Sequence, residues 1–223
     1  MHDTWMDDIA DPILRAKVAV LHQSVQRGGA RGDLCLSGGA IGADLAWGRV
    51  AVAAGMSVLH WSFQGHRVDA GPELGSIARI SDATLEAAAG PMRHVAQAIK
   101  RQLSVRHGTR QLLLRNWYQV AWSDSLYAIS KVNADDEVAG GTAWAVQAFR
   151  QRGTGSAWVF CQERAGWLAS HEGGGFQPVA SEDVPVPQGI WAGIGTRDID
   201  EAGLTAIDGL GARMLMSRHA TQP

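Results

Sequence analysis

The sequence is poor in the features that mark many functional classes. It has only two cysteines, Cys35 and Cys161, too few for a disulfide scaffold. Their apolar neighbours (LCL and VFC) mark both as reduced core residues of a cytosolic protein. Neither sign of charge dominates: 20 basic residues stand against 22 acidic ones, a net charge of −2. That excludes the broad electropositive face of non-specific nucleic-acid binding, and no direct nucleic-acid contact is expected. No apolar run approaches the roughly 18 residues of a membrane span, so no membrane partner is expected. The opening MHDTWMDD is acidic where a secretory leader is basic. There is no HxxxH or CxxC pair and no His–carboxylate cluster at ligand spacing, so no metal is expected. No GxSxG elbow or Cys–His arrangement points to covalent catalysis. The expectation is a soluble, cytoplasmic protein that requires no cofactor.

Glycine is plentiful instead: 27 in 223 residues, well above the usual ~7%. The length suits one α/β domain able to remove roughly 70% of its unfolded surface from water. Apolar spacing with Asp11 and Pro12 at the start predicts a helix over 11–28. The run 34–36 reads as a strand, 43–54 as a helix closed by Gly55, and 57–61 as a second strand, making a βαβ unit with parallel strands. Helices are predicted over 72–89 and 91–105, separated at Gly90-Pro91, and over 109–120 with Leu112, Leu113 and Tyr118 facing inward. Strands at 125–129, 156–161 and 189–194 and helices at 143–152 and 201–216 complete the alternation. Residues 163–188, anchored by Trp167 and Phe176, read as a hairpin or irregular insert. The chain is thus a single doubly wound α/β domain over 1–217, its mostly parallel sheet covered by helices on both faces, with a flexible tail at 218–223.

Three strands end in glycine-containing turns that open helices: Ser37-Gly38-Gly39-Ala40-Ile41-Gly42-Ala43-Asp44, Gly140-Gly141-Thr142, and Gly193-Ile194-Gly195-Thr196-Arg197. In an open parallel sheet such turns gather at the carboxyl edge, where ligands bind. Helix starts carry unpaired N–H groups and partial positive charge, which suit phosphate, and glycine lets an anion reach the backbone. The plainer alternative is that the glycines merely let strands turn; three at one edge favour an anion or nucleotide site. Asp44 either complements its helix start or accepts from ribose hydroxyls. Arg115 and Asn116 either solvate a helix or, through the guanidinium fork, hold phosphate. Trp61, Phe63 and His66 are candidates to stack on a ring, with core packing the alternative for Trp61. The loop Asp135-Asp136-Glu137 is a solvated loop or, through Glu137, a source of a general base; Asp44 is the other weak catalytic candidate.

Taken together, Ser37-Gly38-Gly39-Ala40 with Gly42 and Asp44, Arg115-Asn116 with Asp124, and Gly140-Gly141-Thr142 resemble the SLOG superfamily. That group includes the Lonely Guy phosphoribohydrolases, the DNA-processing protein DprA and the YpsA proteins. The resemblance implies a Rossmann-like fold whose glycine turns bind nucleotide-like ligands. Because 192–197, similar to a stretch that opens ordinary members, lies near the end here, the chain resembles the circularly permuted YpsA-like branch. The strand 189–194 is then expected at the centre of the sheet, beside 33–36. Part of that branch is associated with carrying molybdenum cofactor, so the resemblance implies a nucleotide or molybdenum cofactor as ligand. It also implies nucleoside-monophosphate N-glycosidase chemistry, but Gln147 stands where the phosphoribohydrolases have a glutamate. A neutral amide cannot act as a base. Trp144 likewise replaces a small threonine, whereas Arg115 matches. Related folds pair through helices, and the 72–105 region offers a face for a homo-oligomer.

Overall fold

The computed structural model describes residues 33–219 except 173, together with Arg15, Ala16 and Ala19. The helix expected over 11–28 therefore lies outside the described residues, apart from those three, which are helical. In chain order the elements are β1 (Leu34–Ser37), α1 (Ala43–Ala53), β2 (Ser57–Phe63), β3 (Ser76–Ile80), α2 (Asp82–Ala87), α3 (Ala89–Ala98) and α4 (His107–Val120). They continue as β4 (Ser125–Ser130), α5 (Thr142–Gln151), β5 (Ser156–Cys161), β6 (Gly166–His171), β7 (Gln177–Val179), β8 (Ile190–Gly195) and α6 (Glu201–His219).

The strands form one eight-stranded sheet in the order β3-β2-β1-β8-β4-β5-β6-β7. Pairing is parallel from β3 through β5 and antiparallel for β6 and β7. β8, last in sequence, lies between β1 and β4: Leu34, Cys35 and Leu36 face Ile190, Trp191 and Ala192, and Leu126 faces Ala192 from the other side. The chain winds outward from this centre in both directions, so the carboxyl ends of β1, β8 and β4 flank the switch in strand order, where such sheets open a crevice.

Period-two alternation sorts the strand residues between two cores. Leu34, Leu36, Leu126, Ala128, Val159, Ala192 and Ile194 pack beneath α2–α5 with Leu85, Met92, Leu114, Tyr118 and Phe149. Cys35, Tyr127, Ile129, Phe160 and Trp191 pack beneath α1 and α6 with Trp47, Ile207, Leu210 and Met214. The fold is therefore α/β and Rossmann-like, with helices on both sheet faces. Both cysteines are buried and unpaired in sulfur. Trp144, Trp158 and Trp191 are buried. Among the described residues no helix is long and apolar enough to cross a membrane.

The structure corrects the reading of 72–105. Instead of a helix over 72–89, Pro72–Leu74 makes one 3-10 turn and Gly75 breaks the chain at φ 123°. The next five residues form β3, with Ala78 and Ile80 turned into the core beside β2. Ser81 then caps α2, its Oγ accepting from the Thr84 N–H at 3.2 Å. Gly90 and Pro91 do not separate helices; they sit in the first turn of α3, where a missing N–H costs nothing. In α4, Leu112 is exposed rather than inward, and the buried face is Gln111, Leu114, Arg115, Tyr118 and Gln119. Residues 163–188 supply the hairpin β6–β7, with Trp167 and Phe176 buried. α6 runs to His219, so 218 and 219 are helical where a flexible tail was expected.

Candidate functional site

At the carboxyl edge a cavity of ≈ 750 Å³ opens between α4, the β4–α5 turn and the β8–α6 turn. The wall contributed by β4–α5 is the start of α5. This helix has no side-chain cap. Ala143 and Trp144 give their N–H groups to the carbonyls of Ala139 and Gly141, while those of Gly141 and Thr142 have no partner among the described residues. A methyl group placed on Gly140 or Gly141 would meet nothing within 4 Å. Backbone donors and the positive end of a helix dipole thus face open space.

Arg101, Lys131 and Arg197, all exposed, line the same cavity, as does the buried Asn116. Asn116 Nδ2 donates to the Gly141 carbonyl at 3.3 Å, and Arg101 Nη1 to the Gly140 carbonyl at 2.8 Å. Lys131 leans toward Glu163 at 3.6 Å across exposed surface. Arg197 has no carboxylate within ion-pair distance among the described residues. The β8 turn adds Gly195 and Thr196, whose Oγ1 accepts from the Asp198 N–H at 3.1 Å. Leu112, Leu113 and Trp144 add apolar side chains to the lining.

The turn after β1 departs from the expected cradle. Of Ser37, Gly38, Gly39, Gly42 and Asp44, only Asp44 lines the cavity. The Ala43 N–H donates to the Thr196 carbonyl at 3.0 Å. Gly42, at φ 101°, lies under the Thr196–Arg197 backbone, so closely that a Cβ would be 2.5 Å from the Arg197 carbonyl oxygen. Gly39 is held through its carbonyl by Asp69 and Ala70 and packs on His60. Ser37 Oγ donates to the Asp44 carbonyl at 2.9 Å. This turn braces the β8 turn, His60 and the start of α1. The stacking candidates are also placed elsewhere. Trp61 is fully buried against Tyr118 and Trp122, and Phe63 is buried and stacks on His66. Neither they nor His66 line the cavity.

Beneath the cavity lies a buried ion pair that joins residues far apart in sequence. Asp44 Oδ2 is 3.6 Å from Arg115 Nη1, and both residues are more than nine-tenths buried. Asp44 Oδ1 accepts from the Gly195 N–H at 3.0 Å, Oδ2 from Gln119 Nε2 at 3.4 Å, and the Gly38 N–H also reaches the carboxylate. One carboxylate therefore ties the β1 turn, the β8 turn and α4 together. Burial pushes its pKa up, opposed chiefly by the Arg115 charge. Arg115 is less well satisfied. Nη1 reaches the Trp61 carbonyl at 3.4 Å, and Nε is buried without a partner. Nearby, burial and then the charges of Arg115 and Arg197 bring His66 down to about 4.

Of the catalytic candidates, Asp44 borders the cavity with its oxygens engaged. Glu137 is exposed, accepts from Asn133 Nδ2 at 3.0 Å, and lies with Gln147 in a separate depression of ≈ 610 Å³. Asp124 sits at the opposite sheet edge, where Oδ2 accepts from the Ile190 N–H at 3.2 Å. The wall formed by 101–113 escaped the sequence reading because a loop side chain's position depends on how α3 and α4 pack. No protein-family model, curated protein or solved structure matches this chain.

Proposed function

We propose that this cavity binds a small phosphorylated, nucleotide-like molecule, its phosphoryl group at the start of α5 and its ring toward Leu112, Leu113 and Trp144. The observation that carries the reading is the uncapped first turn of α5, open at Gly140 and Gly141, in a cavity that Arg101, Lys131 and Arg197 also line. Free helix N–H groups with arginine forks nearby make a phosphate site. A volume of ≈ 750 Å³ lies within the usual range for small-molecule pockets. The reading is binding rather than glycosidic cleavage, because neither expected carboxylate is a free base at the cavity: the Asp44 oxygens are engaged and Glu137 lies in the other depression.

The test is thermal unfolding with a panel of nucleoside monophosphates and with inorganic phosphate. A ligand at a hundred times its Kd adds about 2.7 kcal/mol, which raises the melting temperature by roughly 5–11 °C for a chain of this size. Gly141→Asp places a carboxylate where the phosphate would sit, at φ −71° and in open space, so it should fold normally and lose this rise. An unchanged rise in that variant, or no rise with any of the panel in the unmodified chain, would overturn the reading.

A further inference from the structure

Resting on the reading of the cavity as an anion site, we propose that a tetrahedral dianion bound there draws Arg115 away from Asp44, and that Asp44 takes up one proton from solvent as this happens. Arg115 borders the cavity and carries five N–H donors. Its described contacts are long, 3.4 Å to the Trp61 carbonyl and 3.6 Å to Asp44, and its buried Nε has none. A doubly charged oxyanion offers it shorter, charge-assisted bonds. The charge count of the lining selects the same ligand. Arg101, Arg115, Lys131 and Arg197 stand against the carboxylates of Asp44 and Asp198, an excess suited to a phosphate monoester rather than a diester.

Asp44 then loses its cation and gains an anion as neighbour. The one charged group among the contacts that act on it is Arg115 from α4; from β1 it faces the Cys35 thiol, which burial keeps neutral, and the other contacts are the neutral Gln119 and the Gly38 and Gly195 amides. None of these replaces the lost positive charge, and a buried carboxylate without a cation is protonated rather than left charged. The proton goes to Oδ2, the oxygen that Arg115 leaves, while Oδ1 keeps the Gly195 N–H. The competing acceptors are His60 and His66, both under the Arg115 charge.

Sulfate is the probe, because it is a dianion that does not titrate near neutral pH. Its binding to the full chain is measured calorimetrically at one pH and constant ionic strength in two buffers of different ionisation enthalpy. The expected result is a heat that differs between buffers by an uptake approaching one proton, with Kd weakening by up to about tenfold per pH unit as pH rises. Asp44→Asn should bind sulfate with no buffer dependence and a flat pH profile. Equal heats in the two buffers for the unmodified chain would overturn the coupling while leaving the anion site standing, and that comparison stands even if the variant fails to fold. Persistent uptake in Asp44→Asn would move the proton to a histidine and overturn the assignment. Absence of any sulfate binding to the unmodified chain would overturn the anion reading itself.

Discussion

Gly38→Ala and Gly141→Ala make the same chemical change in two glycine turns of this sheet edge and should differ sharply. At Gly38 a Cβ would overlap Arg115 Nη1 and Asp44 Oδ2 and lie 2.8 Å from Arg115 Cζ. The neighbours that must yield are a buried guanidinium with one long hydrogen bond, to the Trp61 carbonyl, and a carboxylate held by Gln119 and the Gly195 N–H. Overpacking a core costs about 1–3 kcal/mol, and pulling a buried charge from its partner about 3–5 kcal/mol. Partial separation of this long pair should cost about 3 kcal/mol. For a domain of this size that is a fall of roughly 6–12 °C in melting temperature. At Gly141 the backbone already has φ −71° and a methyl meets open space, so the change should lie within about 0.5 kcal/mol. Calorimetric or circular-dichroism melts of the two variants provide the measurement. If Gly38→Ala melts with Gly141→Ala, Arg115 does not occupy the space above that turn, and the brace described for Asp44 is wrong.

Two other substitutions probe the same structure more locally. Ser81→Ala removes the side-chain cap of α2 and should cost about 1 kcal/mol, read as a shift in denaturation midpoint with unchanged slope. His66 is held down to about 4 in the folded chain against an ordinary 6.5. The unfolded chain therefore binds the proton first, and stability should fall as pH drops from about 6.5 to about 4. His66→Gln should flatten that part of the stability–pH curve; a curve of unchanged slope would show that His66 is not the titrating group.

Much of the architecture was legible because burial on both sheet faces leaves short apolar runs between glycines. β1, β4, β5 and β8 all announce themselves in this way. β3 did not. Its five residues lie on the edge with only Ala78 and Ile80 buried, and Pro72 ahead of it imitates a helix start. The site was half legible. Gly140, Gly141, Thr142, Gly195, Thr196 and Arg197 do meet at one cavity, because parallel strands deliver their following turns to one edge. The β1 turn carries the same kind of glycines in a different setting: close packing under Arg115 and the β8 backbone. Spacing along a chain cannot distinguish a glycine that borders an open cavity from one that admits a neighbouring side chain. Nor could it reveal that Asp44 and Arg115, 71 positions apart, form a pair.

The position of β8 has a consequence for biosynthesis. Both of its flanks are hydrogen-bonded, to β1 on one side and β4 on the other. Until the ribosome has released residues 190–195, the nascent polypeptide holds two half-sheets whose inner margins, Leu34–Ser37 and Ser125–Ser130, are unpaired and apolar. Such margins invite intermolecular association. A premature stop before Ile190 should therefore leave no usable fragment, whereas one beyond β8 spares the whole sheet.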